Sequence, residues 1–335
     1  MPTLRRLFWN PAERRPRLIW RLAGLGLILF ILLPLFQAAA VIAGSLFFPP
    51  PGSSWDSPLT LFTLTLASGL AVALSVVLAA RILDRRRTRD LGLELSRAWW
   101  TDLGLGFALG AALLALVFGA ELALGWIEIE GFATSPPGGP SFPARLGLAA
   151  LFYIAVGFYE EFFTRGYLIK NLAEGLSGKP LSRPAAILIA YTLTSALFGA
   201  LHAANPNATP FAVLNIALAG LLLGGGYLFT GDLAIPIGLH ISWNFFQGPV
   251  FGFPVSGASL LGLSVFQVQQ LGPALWTGGP FGPEGGLIGT LTILLGLGII
   301  TLWKGGNGIH LDLTRYQPRQ AELEDRPSPP PTEES

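Results

Sequence analysis

Glu160, Glu161 and Arg165 stand in the stretch FYEEFFTRGYL, residues 158–168, inside one of the most apolar parts of the chain. Glu161 and Arg165 are four residues apart, so on a helix they share one face and neutralise each other. Glu160 is turned about 100° from Glu161 by the 3.6-residue period, which leaves one carboxyl group without a cation of its own. Such a group suits general acid or base work. Two more stretches repeat the four-residue spacing: Phe198 and His202 in SALFGALHAAN, and His240 and Asn244 in IPIGLHISWNFFQG. The chain has 3 histidines, and only His310 lies in a polar stretch. With Glu160, the other two supply proton donors and acceptors, and Asn244 donates amide hydrogens without titrating.

Each of these residues also has a plainer reading. Glu161 with Arg165 makes a structural ion pair, a membrane histidine or asparagine makes an interhelical hydrogen bond of about 1 kcal/mol, and Phe198 packs. A charge at the bilayer centre costs roughly 2.5 to 3.5 kcal/mol on insertion scales, so several polar residues on three apolar helices point together to a site. The glycines at 224–226 fit close helix approach, since no strand precedes them and no P-loop lysine follows.

The elements that must hold these residues are membrane helices. Of 335 residues, 51% are hydrophobic and 12% charged, a balance that points to the bilayer as solvent. A net charge of +1 argues neither for nucleic acid nor for a strongly acidic partner, so no nucleic-acid partner is expected, and the absence of cysteine excludes disulfides, thiolate metal sites and a cysteine nucleophile. Arginine outnumbers lysine and alanine, glycine and proline abound, as in a GC-rich bacterial genome. Eight stretches are long and apolar enough to span: 22–48, 59–83, 103–126, 146–170, 184–204, 210–229, 232–252 and 286–303. The first is too long for a cleavable signal peptide.

Arg5, Arg6, Arg14, Arg15 and Arg17, then Arg85, Arg86, Arg87 and Arg89, then Lys170, Lys179 and Arg183, and finally Lys304 all fall on one side of such a bundle. The connections 49–58, 127–144, 203–209 and 253–285 are expected on the other. The positive-inside rule makes the first side cytoplasmic and puts both termini there, in a cell-membrane protein. Trp20, Trp126 and Trp303 fit an interfacial belt. The segment 253–285 is too rich in glycine and proline to face lipid and reads as a folded external loop or a re-entrant element. The tail from about 305 reads as disordered. The expected fold is thus an all-α, polytopic helical bundle with an intramembrane cavity. It divides into a cytoplasmic arm (1–21), two N-terminal spans (22–94), a core (95–303) and a cytoplasmic tail (304–335).

E-E-x-x-x-R at 160–165, F-x-x-x-H at 198–202 and H-x-x-x-N at 240–244 resemble, in order and in their placement on separate apolar helices, the motifs of the CAAX protease and bacteriocin-processing (CPBP, Abi-type) intramembrane proteases. The resemblance spans roughly 95–303, and GPVFGFPVSG and TGGPFGPEGG are similar to a bacterial subgroup. It implies an intramembrane endopeptidase in which Glu160 and His202 activate a water while His240 and Asn244 stabilise the oxyanion. Glu161, Arg165 and Phe198 would support them. The substrate would be a membrane-associated protein or peptide. Glu160, His202 and His240 would also suit a catalytic zinc as two histidines and a carboxylate. No H-E-x-x-H helix is present, however, and a base-activated water explains the residues without an ion. Rival readings are a non-catalytic immunity or scaffold protein that keeps the family core, and a proton-coupled transporter, against which the lack of an internal repeat counts. One expectation conflicts with the site. Straight helices place Glu160 about 15 Å, His240 about 12 Å and His202 about 27 Å from the arginine-rich ends of their spans, too far apart in depth to meet.

Overall fold

A computed structural model describes residues 7–11, 13–47, 58–137, 141–178, 180–259 and 262–311. The arm before residue 7, Lys179 and the tail beyond 311 lie outside the described residues, but the first residues of the tail expected to be disordered from about 305 are ordered, with Leu311 packed into the core.

The chain begins with a two-stranded hairpin, β1 (Trp9–Asn10) and β2 (Arg15–Pro16). Helices α1 (Leu18–Phe47) and α2 (Pro58–Leu78) follow, the second running on into a π-helical turn over Ala79–Leu83. Helix α3 (Arg97–Ala123) starts where the Ser96 side chain accepts the Trp99 N–H, the capping bond that serine favours at a helix start. Helix α4 (Phe142–Glu161) passes directly into a π-helix (Phe162–Ile169) and then α5 (Lys170–Leu176). Helices α6 (Arg183–Leu201) and α7 (Pro210–Thr230) each open on a capping hydroxyl with proline in the first turn, Ser182 with Pro184 and Thr209 with Pro210. Gly231, in the left-handed region at φ 72°, ends α7. Helix α8 (Ala234–Phe245) and a π-turn (Phe246–Val250) lead to strand β4 (Ser264–Gln270), the short helix α9 (Ala274–Thr277) and helix α10 (Leu287–Lys304).

Among the described residues seven helical segments are long and apolar enough to cross a membrane. Large apolar side chains such as Leu27, Phe30, Ile31 and Ile42 are exposed on α1, as lipid contact requires. The protein is a polytopic helical membrane protein. The expected span 232–252 takes a different form, because α8 has 12 residues, about 18 Å of helix, and is buried at every position from Ala234 to Asn244. Apolarity here records packing inside protein rather than contact with lipid. Helix α3 approaches it closely: a Cβ at Gly110 would stand 2.1 Å from Ser242 Oγ, and one at Gly238 2.1 Å from the Leu103 carbonyl oxygen. Small residues at such crossings let backbones pack in the absence of a hydrophobic driving force. The expected close approach at 224–226 is also present, since Gly224 leaves room for the Tyr191 ring.

At one end of the bundle, β3 (Ile127–Thr134) pairs antiparallel with β4, with a register shift between Ile129 and Gly131. The connections 127–144 and 253–285 therefore meet as a small sheet, whose alternation in IEIEGFAT and SVFQVQQ is a strand signal absent from the helix-only expectation. At the opposite, arginine-rich end, the N-terminal hairpin and the stretch around His310, whose N–H donates to the Leu228 carbonyl at 2.9 Å, lie together. Two arginines expected in loops are built into the protein there. Arg15 and Arg86 are 2% and 6% exposed, and with Arg21 they converge on Glu174. Arg21 also pairs with Asp84 at 3.3 Å, and Asn171 donates to Asp84 at 3.0 Å.

Candidate active site

The π-helix that follows Glu161 widens the backbone where the charged residues stand, a form of irregularity found often at functional sites. Glu161 is fully buried and its Oε1 accepts from Arg165 Nη1 at 2.8 Å and from His240 Nδ1 at 2.8 Å. Arg165, 1% exposed, also donates to Thr164 Oγ1 at 2.9 Å and to the Gly220 carbonyl at 3.1 Å, and its guanidinium lies 4.4 Å from the Phe198 ring centre. The expected pair between Glu161 and Arg165 thus forms, and it holds α4, α7 and α8 together. Because a carboxylate only accepts, the Nδ1 of His240 carries a proton and the ring is fixed. Its Nε2 then points toward Glu160, 3.9 Å from Oε2.

Glu160 is partly exposed to a cavity of about 1040 Å³. His202, His240, Asn244 and Phe198 line the same cavity, so all four residues expected to act, with Phe198, face one space. His202 follows the last turn of α6, and its Nδ1 lies 2.8 Å from the Phe198 carbonyl oxygen. A carbonyl cannot donate, so a proton sits on Nδ1, the tautomer whose Nε2 is an acceptor. Phe198 does more than fill space: its ring centre lies 4.8 Å from that of His202 and 6.0 Å from that of His240.

The depth conflict disappears because the fourth span does not stop at Lys170. It continues to Leu176, which places Glu160 about 24 Å from that end, close to the roughly 28 Å of His202 from the start of α6. Helix α8 begins deep in the bundle, where the Leu233 N–H bonds the Gly92 carbonyl at 3.0 Å and its side chain meets Gly166. His240 consequently reaches about 25 Å by the same rise per residue.

Several residues at the cavity carry no motif. Glu284, 5% exposed, accepts from Trp243 Nε1 at 3.0 Å, from the Ser256 N–H at 2.7 Å and from Ser256 Oγ at 2.9 Å. Asn205 donates to the Ser256 carbonyl at 3.0 Å. These bonds tie the connections around 205, 256 and 284 across the end of the cavity that faces the sheet. A lone acid in the apolar loop WTGGPFGPEGG was the available signal for Glu284. Among the described residues no three His, Cys, Asp or Glu side chains are grouped so as to hold a metal ion, and Glu160, His202 and His240 share the cavity without forming such a group.

Residues 142–246 match the family model described as type II CAAX prenyl endopeptidase Rce1-like. No curated protein and no solved structure matches the chain. The matched segment begins at α4 and ends just past Asn244, so it contains every motif residue from Glu160 to Asn244 and excludes α1, α2 and α3. The likeness to the type II CAAX prenyl endopeptidase Rce1-like family, within the CPBP proteases, thus falls on residues 142–246, the part of the chain that carries the motifs.

Proposed function

We propose that this multi-pass membrane protein is an intramembrane endopeptidase that hydrolyses a peptide bond of a membrane-associated protein or peptide. The observation that carries the reading is the convergence of Glu160, His202, His240 and Asn244 on one largely apolar cavity. Glu160, helped by the acceptor nitrogen of His202, takes a proton from water as the oxygen attacks the scissile carbonyl. The oxyanion that forms is met by the Asn244 amide and, one helical turn away, by His240, which donates from Nε2 as the imidazolium while its Nδ1–H stays on Glu161, and in a dry cavity such donors act strongly. Glu160 then returns the proton to the leaving amine. The 3.9 Å between Glu160 and His240 suits this sequence, since resting sites often tighten only around substrate. Arg165 and Glu161 fix the His240 ring so that its second nitrogen faces the reacting atoms.

The family description names a prenylated CAAX substrate, so a farnesylated C-terminal peptide is the first probe, beside unlipidated controls. The arginine-rich end is proposed to be cytoplasmic, which puts both termini there. Cleavage by purified protein is compared with that of Glu160→Gln and His202→Ala, each with and without a tight zinc chelator. Loss in both variants with activity kept in chelator supports the route above. Loss in chelator restored by zinc would replace it with a metal-dependent one, and cleavage unaffected by either substitution would remove these residues from the site.

A further inference from the structure

Helix α2 carries no motif and lies outside the family match, yet it reaches the site through a glycine. A Cβ built on Gly69 would stand 2.5 Å from Tyr159 Cδ1 and 2.8 Å from Cε1, so the tyrosine ring occupies the space that any larger residue would need. Beside it, Ser68 accepts from Gln37 Nε2 of α1 at 3.0 Å and donates to the Leu64 carbonyl at 2.8 Å. That polar tie inside the apolar bundle fixes α2 where Gly69 meets the ring.

Seated there, the Tyr159 hydroxyl donates to Glu160 Oε1 at 3.3 Å. Neighbouring residues on a helix do not normally face each other, so the contact depends on a long ring and on the room left by Gly69. Both side chains line the cavity. Among the described residues Oε2, the other Glu160 oxygen, has no hydrogen-bond partner, and it is this oxygen that faces His240. One carboxylate oxygen is held and the other is left for chemistry.

We infer that Tyr159 is a positioning residue for the Glu160 carboxylate, and that Gly69 of α2 completes the site by seating its ring. The catalytic consequence rests on the endopeptidase reading above; the hydrogen bond itself does not. The test is infrared difference titration of the purified protein, in which the Glu160 carboxyl band is identified by its loss in Glu160→Gln. Tyr159→Phe removes only the hydroxyl and Gly69→Ala only displaces the ring. Each is expected to move that band by several wavenumbers, and the double variant no further than Tyr159→Phe alone. In peptide hydrolysis both are expected to lower kcat by roughly ten-fold to one hundred-fold, the scale of a hydrogen bond to a charged group, with KM unchanged. A band unmoved by Tyr159→Phe would overturn the inference whatever the activity. Hydrolysis by Glu160→Gln at the wild-type rate would instead overturn the endopeptidase reading and leave the band shift standing.

Discussion

Two clusters of buried charge hold this protein together, and they are balanced in opposite ways. At the arginine-rich end, Arg15, Arg21 and Arg86 surround Glu174, and Asp84 is shared between Arg21 and Asn171. In the middle of the bundle, Glu160 and Glu161 face one arginine and one histidine. Among the described residues the first cluster leaves donors over, at Arg21 Nε and Arg86 Nη1, while the second leaves acceptors over, at Oε2 of Glu160 and of Glu161. Only the second opens on the large cavity. Arginines with donors to spare around shared carboxylates make a clamp between the N-terminal hairpin, α1, the end of α2 and α5. Spare carboxylate oxygens beside a cavity make a place where a proton can be taken up.

The pKa of Arg86 fits the clamp. Burial works against its charge, but the Glu174 and Asp84 carboxylates beside it outweigh burial and hold the pKa above its ordinary value.

The comparison breaks first at Glu160. Glu160→Gln is expected to lower peptide hydrolysis by about 100-fold or more, the scale of a lost general base, with no fall in the unfolding midpoint, since a charge with an unpartnered oxygen is removed. Next in size is Glu174→Gln, which removes the carboxylate that three buried arginines share. About 3 kcal/mol of stability should be lost in denaturant unfolding, by the measure of broken buried ion pairs. Arg165→Lys tests whether the central arginine is more than a charge. Lysine cannot reproduce the fork that serves Glu161, Thr164 and the Gly220 carbonyl, so hydrolysis should fall about ten-fold, with a smaller loss of stability.

The smallest effect concerns Asp232, a carboxylate in the turn before α8 that the clamp does not reach. Burial, then Glu94 and Asp102, push its pKa up to about 6. A carboxyl raised in the folded state contributes stability that is complete below its unfolded value of about 3.9 and lost as pH climbs through the folded one. The unfolding midpoint should therefore decline as pH rises from about 4 to about 6, and Asp232→Asn should remove that slope.

Much of this architecture was legible because hydropathy records burial. Seven of the eight expected spans appear within a few residues of their stretches. The eighth misled because an apolar run reads alike whether lipid or protein surrounds it, and α8 is surrounded by protein. The i, i+4 spacings put Glu161 with Arg165, Phe198 with His202 and His240 with Asn244 each on one helical face, since that spacing depends only on helix geometry. Their depth was not legible. A lysine at the end of an apolar run marks a membrane boundary, whereas the Lys170 Nζ donates to the Asp90 carbonyl at 2.6 Å and the helix runs on. Partners far apart in sequence were hidden for a similar reason. Nothing local pairs Arg15 with Glu174, and nothing local sets Gly69 beneath Tyr159.

The most direct measurement takes hydrolysis of the farnesylated peptide and the unfolding midpoint together, on the same preparations of Glu160→Gln and Glu174→Gln. The expected result is a crossed pattern: Glu160→Gln folds as stably as wild type and does not cleave, and Glu174→Gln melts early but cleaves normally per folded molecule. If Glu160→Gln cleaves at the wild-type rate, or Glu174→Gln keeps its midpoint and loses turnover instead, the division between clamp and site is wrong.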